Sequence, residues 1–195
     1  MSQEDQIGGS DCEEIGEGLL VQPVNALSSL AFVAAGIAVA VRARGLDVAM
    51  KRQAWFFAAL LVLTGLGSVI YHGPQWPGAR FMHDAPIAVI VIQSLVTPVW
   101  RLVRKQPVLP GWTPKRGATL VVAWVLAAGS FIGGRTDSPL CDPDSVAQPH
   151  GSWHLVASIG FFVWSEILFH DASAPSKRDR PVPAPPDGTE RSGNG

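Results

Sequence analysis

The chain has 195 residues, of which 47% are apolar and only 16% charged, and its formal net charge is −1. An average soluble domain carries about 25% charged residues. Since about 20 consecutive apolar residues cross the hydrocarbon core of a bilayer, long uncharged stretches exclude a soluble domain or a disordered chain and predict a polytopic α-helical membrane protein. No basic patch indicates a nucleic-acid partner. Stretches without Asp, Glu, Lys or Arg cover 18–41, 53–79, 85–100, 117–134 and 145–165.

Three regions follow along the chain. We expect residues 1–22 to form an outer acidic N-terminal tail, 23–170 a transmembrane bundle, and 171–195 a disordered cytoplasmic tail, since that tail is rich in Pro, Gly and charge. The bundle is an all-α fold with five predicted transmembrane helices, at 23–42, 53–72, 84–103, 117–134 and 149–169.

The basic residues predict an orientation. All of them except Arg80 and Arg135 fall in the first connection, the third connection or the C-terminal tail. Because cytoplasmic loops carry an excess of Lys and Arg, we expect the N-terminus outside and the C-terminus in the cytoplasm. The chain is then a multi-pass protein of a plasma or bacterial inner membrane.

This orientation brings ionisable residues together at the outer boundary. His72 ends the second predicted helix, and His150 and His154 begin the fifth. His150 and His154 are four residues apart, so a helix places both imidazoles on one face. With His72 at the same depth, three imidazoles would hold Zn²⁺ and leave one position open, as in catalytic zinc sites.

Two further polar residues near this boundary each have two interpretations. Ser68 lies one helical turn before His72, either as a hydroxyl donor beside the metal or as a small residue that lets helices approach closely. Asp84 begins the third predicted helix, either as its N-cap or as the carboxylate that orients or deprotonates the zinc water.

The two cysteines, Cys12 and Cys141, both fall on the predicted outer side. They are candidates for a disulfide, or else unrelated thiols in flexible segments. The acidic residues beside Cys12 are a candidate calcium site or a solvated tail without an ion: Asp11, Glu13, Glu14 and Glu17.

Taken together, several short segments resemble the alkaline ceramidase family, within a superfamily of seven-helix membrane hydrolases that includes the adiponectin-receptor-like proteins. The Ser-x-x-x-His motif, the following Asp and the final His-x-x-x-His are typical of the superfamily. The Cys-Glu pair and the Trp before the last His are typical of the ceramidase branch. Relative to the family's seven helices, two are absent between Asp84 and His150. The matching segments are 11–14, 25–28, 67–72, 83–84, 135–141 and 149–154.

The resemblance implies a zinc amidase that hydrolyses the N-acyl bond of a ceramide-like membrane lipid to a fatty acid and a sphingoid base. His72, His150 and His154 would hold Zn²⁺. Asp84 would act on the zinc water, and Ser68 would support the metal site and the substrate.

The resemblance also pairs Cys12 with Cys141 and puts Glu13 on a ligand position of a Ca²⁺ site. Two alternatives remain open for the function. One is a receptor-like or non-catalytic zinc protein of the same superfamily, and the other is a hydrolase of a phospholipid ester. The oligomeric state is not predicted.

Overall fold

The computed structural model describes residues 7–170, so the predicted tail at 171–195 lies outside the described residues. The described part is helical, which confirms the all-α fold, and its one β-bridge joins Asp11 to Arg135. The helices are α1 (Pro23–Ser28), α2 (Leu30–Arg42) with a 3-10 turn at Ala43–Gly45, α3 (Val48–His72), α4 (Ala79–Val103), α5 (Pro114–Gly133) and α6 (Pro149–Leu168).

Four segments of the described chain are long and apolar enough to cross a membrane: Pro23–Gly45, Val48–His72, Ala79–Val103 and Pro114–Gly133. These correspond to the first four predicted spans. The fifth predicted span is present as α6, which has 20 residues, but its composition does not place it in this set. Four polar side chains of α6 are buried, those of His150, His154, Ser158 and Ser165.

Two helices begin about one turn earlier than predicted. Asp47 caps α3, since its side chain accepts hydrogen bonds from the backbone N–H groups of Ala49 and Met50. Helix α4 begins at Ala79, with Gly78 at its N-cap in a left-handed conformation (φ 86°). The prediction that Asp84 begins this helix is therefore wrong, and so is its N-cap interpretation. Both helices extend beyond the uncharged stretches used for the prediction, because their first turns also contain charged residues.

The helices pack as a series: α4 lies on α3, α3 on α2, α2 on α6 and α6 on α5. Close approach of α3 and α4 requires a glycine, because a Cβ at Gly67 would clash with the backbone carbonyl oxygen of Met82. The short α1 contacts both α3 and α6. This arrangement sets the end of α3 beside the start of α6, with α1 between them.

The core lies mainly among α2, α3 and α6, where phenylalanine rings pack with aliphatic side chains. Phe57 packs edge-on against Phe161, with ring centroids 6.2 Å apart, and both belong to the main buried apolar cluster. The outer helices expose large apolar side chains, for example Leu95 (66%) on α4 and Val125 (66%) on α5. Such surfaces are costly in water and suit contact with lipid acyl chains.

Candidate metal centre

A disulfide holds the segment before α1 against the loop between α5 and α6. Cys12 and Cys141 are bonded, with their Cα atoms 5.4 Å apart, which confirms the predicted pair. Beside it, the backbone N–H of Cys12 donates to the carbonyl oxygen of Gly134 at 2.8 Å. The segment therefore lies over the end of the bundle where α3 ends and α6 begins.

The three predicted histidines converge beneath this segment. His72 is the last residue of α3, and His150 and His154 lie in the first two turns of α6. One ring nitrogen from each lies within 4.8 Å of the others, and all three side chains are buried. Within residues 7–170 this is the one group of three or more His, Cys, Asp or Glu side chains that could share a metal ion. The predicted convergence is confirmed.

Each imidazole has its Nδ1 atom turned toward the N-terminal part of the chain. His72 Nδ1 lies 2.7 Å from Gln22 Oε1, and His154 Nδ1 lies 2.9 Å from Ser28 Oγ. His150 Nδ1 lies 3.3 Å from Asp11 Oδ1, without the alignment of a hydrogen bond. Partners of this kind fix the tautomer and ring orientation of metal-ligating histidines.

The opposite ring nitrogens are available for a metal. Among residues 7–170, the buried Nε2 atoms of His72 and His150 have no hydrogen-bond partner. Native proteins rarely leave buried polar atoms unsatisfied, and a metal ion would accept the lone pairs of both atoms. Neutral imidazole nitrogens are common ligands of zinc and other transition metals. The residues present therefore fit a three-histidine metal site.

Ser68 belongs to the same cluster, as predicted. Its buried hydroxyl oxygen lies 3.4 Å from His154 Nε2 and 2.8 Å from Ser29 Oγ. Since Ser68 stands one turn before His72 on α3, the two side chains face the same side of the helix.

Asp84 is not brought into the cluster. Its side chain is 62% exposed, and its carboxylate oxygen lies 2.7 Å from Nδ1 of the neighbouring His83. The ring of His83 stacks on Tyr71 and lies 6.1 Å, centroid to centroid, from the ring of His72. The α4 residue beside the histidines is therefore His83, and the predicted role of Asp84 as a base remains a prediction.

Two carboxyl groups of the N-terminal segment are buried outside the helices. Burial raises the pKa of Asp11 to about 6, although the Arg135 guanidinium, 3.1 Å away, opposes that rise. Burial also raises the pKa of Glu13, opposed by hydrogen bonds from the backbone N–H groups of Val24 and Asn25. Both Glu13 oxygens thus cap the start of α1, and its assignment to a Ca²⁺ site stays a prediction.

The sequence by itself did not identify the polar residues that lie against the Nδ1 atoms of the histidines. Gln22, Asn25 and Ser29 are fully buried and lie at positions i, i+3 and i+7 of a stretch that contains one further polar residue, Ser28. That spacing places them on one helical face, and it is the signal that a polar group lies opposite that face.

Comparison with protein-family models, with curated proteins and with solved structures finds no match to this chain.

Proposed function

We propose that this protein is a zinc-dependent membrane amidase, which hydrolyses the N-acyl bond of ceramide-like lipids to a fatty acid and a sphingoid base. The observation that carries the proposal is the cluster of His72, His150 and His154, which is buried and in which two Nε2 atoms have no hydrogen-bond partner among residues 7–170. The resemblance of the site segments to alkaline ceramidases supports the substrate class.

Three imidazoles are the ligand set of a catalytic zinc that keeps a fourth position open. A zinc ion held there would supply a Lewis acid that lowers the pKa of water and polarises a carbonyl group. The protein's contribution is to present the three nitrogens together while their Nδ1 partners hold the rings in place.

His83 and Asp84 are the proposed proton-accepting pair. His83, with its side chain 19% exposed, lies beside His72 and can take a proton at Nε2. Asp84 accepts the Nδ1–H hydrogen bond of His83 and so stabilises the imidazolium that forms, as a carboxylate does for a catalytic histidine. Asp84 is then a positioning residue, and direct proton transfer to its carboxylate is the alternative.

Ser68 is the proposed donor to the substrate. Its hydroxyl lies within the cluster, 3.4 Å from His154 Nε2. A hydroxyl at this place would donate to the amide carbonyl oxygen as negative charge develops there, and such donors act strongly in a buried site. The lipid tails would remain against the apolar faces of α4 and α5, which form the two ends of the helix series.

The proposed orientation places the N-terminus and the histidine cluster at the outer face of a plasma or inner membrane. The distribution of basic residues supports it. The disulfide supports it as well, because disulfides persist on the oxidising side of such membranes. An amide headgroup could then reach the cluster from the outer leaflet.

The test is an assay of purified, zinc-loaded protein in detergent on a fluorescent ceramide and on an ester lipid with the same acyl chain. We expect cleavage of the amide, loss of activity with a strong chelator and recovery with added zinc. Cleavage of the ester alone would favour the phospholipid alternative. Zinc-loaded protein that cleaves neither lipid would favour a receptor-like protein.

A further inference from the structure

The side-chain amide of Gln22 has one orientation that satisfies its neighbours. Its Nε2 group donates to the carbonyl oxygens of Gly8 at 3.0 Å and Glu13 at 2.7 Å. Both of these atoms are acceptors only, so the NH₂ end must face them. The oxygen end, Oε1, consequently faces His72 Nδ1 at 2.7 Å.

This orientation determines the tautomer of His72. Oε1 of Gln22 can only accept, so the proton of the neutral imidazole must lie on Nδ1 of His72. The lone pair is then on Nε2, the buried atom that has no hydrogen-bond partner among residues 7–170. Gln22 thus presents the correct nitrogen of His72 to the metal position.

Gln22 fixes the tautomer of its histidine more decisively than the other three neighbours of the Nδ1 atoms do. The hydroxyls of Ser28 and Ser29 lie 2.9 Å and 3.3 Å from His154 Nδ1, and a hydroxyl can either donate or accept. Asp11 lies 3.3 Å from His150 Nδ1 without hydrogen-bond alignment. The Gln22 amide is buried, doubly anchored and able to act only as an acceptor toward the ring.

We propose that Gln22 is a positioning residue of the metal site, which holds His72 as the Nδ1–H tautomer and couples the disulfide-bonded N-terminal segment to a metal ligand. The inference rests on the proposed function only through the metal site, and not through hydrolysis. Removal of such a partner typically weakens metal binding 10–100-fold.

Gln148 provides a matched control within the same chain. It is buried and stands before α6 as Gln22 stands before α1. Its Nε2 group also binds backbone carbonyl oxygens, those of Asp142, Pro143 and Ser145. Its Oε1 atom has no hydrogen-bond partner among residues 7–170, so it forms no hydrogen bond with an imidazole there. Gln148→Met therefore removes three contacts to carbonyl oxygens, against two in Gln22→Met, and leaves His72 Nδ1 untouched.

The first measurement uses the full-length wild-type protein without metal. Nitrogen-15 NMR of labelled histidines, with His72 assigned by comparison with His72→Ala, should show the proton on Nδ1 of His72. In Gln22→Met the preference for this tautomer should be lost. A proton on Nε2 of His72 in the wild type would overturn the proposal, whatever the variants do.

The second measurement is zinc affinity by competition with a chelator. Gln22→Met should bind zinc 10–100-fold more weakly than the wild type, and Gln148→Met should stay within about threefold. Equal losses in the two variants would reduce Gln22 to a structural role and overturn the proposal. Neither readout depends on turnover, so zinc-loaded protein that hydrolyses no lipid would refute the proposed amidase and leave this inference standing.

Discussion

His83 Nδ1 lies 2.7 Å from the carboxylate oxygen of Asp84, its neighbour in sequence. Consecutive residues on a helix point about 100° apart, and on α4 it is His83 that lies beside His72 while Asp84 is largely exposed. The hydrogen bond joins the exposed carboxylate to an imidazole that borders the buried cluster. If His83 accepts a proton from the cluster, the negative charge of Asp84, which lies outside the cluster, would stabilise the resulting imidazolium.

Replacement of His83 tests this pair. His83→Phe keeps an aromatic ring against Tyr71 but removes the proton acceptor, so ceramide hydrolysis should fall by about 10²–10⁴-fold. Asp84→Asn should cause a smaller loss, because the imidazole remains. Zinc content, measured by mass spectrometry, should match the wild type in both. A larger loss in Asp84→Asn than in His83→Phe would instead make the carboxylate the base.

The ligand set is tested by single alanine replacements. His72→Ala, His150→Ala and His154→Ala should each reduce bound zinc from about one per chain to a small fraction, because each removes one of three protein ligands. His170→Ala is the control, since His170 is exposed beyond the far end of α6. Wild-type zinc content in any of the three ligand variants would contradict the site.

Ser68→Ala tests the proposed hydroxyl donor. Hydrolysis should fall by up to about 10²-fold with zinc content unchanged, because one donor to the carbonyl oxygen is lost while the metal remains. The control is Ser158→Ala, which removes another buried hydroxyl, one that donates to the carbonyl oxygen of Leu155. If both variants lost the same activity, the effect of Ser68 would be one of packing.

Removal of the disulfide should loosen the N-terminal segment. The double variant Cys12→Ser with Cys141→Ser should lose about 2–4 kcal/mol of stability, seen as a lower thermal unfolding temperature in detergent. Its zinc affinity should also fall, because Asp11 and Gln22 lie on the segment that the disulfide holds. In protein from its native membrane, mass spectrometry without reduction should find the two cysteine peptides linked, and separate peptides would contradict the bond.

The proposed orientation predicts a cytoplasmic C-terminus. A green fluorescent protein fused after Gly195 should fluoresce, and alkaline phosphatase at the same position should be inactive, because each reports one side of the membrane. Active phosphatase at this position would invert the orientation and move the histidine cluster to the cytoplasmic face.

The sequence alone determined the class of fold and the members of the cluster. Charge-free stretches of membrane-spanning length are a local property, and four of the five predicted spans are present as segments suited to a membrane. The four-residue spacing of His150 and His154 sets both on one face of any helix. His72 could be added from its depth alone, because the second predicted helix ends at the same outer membrane boundary where the fifth begins, however the helices pack.

Only the tertiary structure decided which α4 residue lies beside the cluster and which groups hold the imidazoles. The contact of Gly67 with the backbone at Met82 brings α4 against α3 and turns His83, rather than Asp84, toward His72. Gln22 meets His72 across 50 residues of sequence. A helical pattern specifies which residues share a face, but the rotation and height of one helix against another are set by side-chain and backbone packing between residues far apart in the chain.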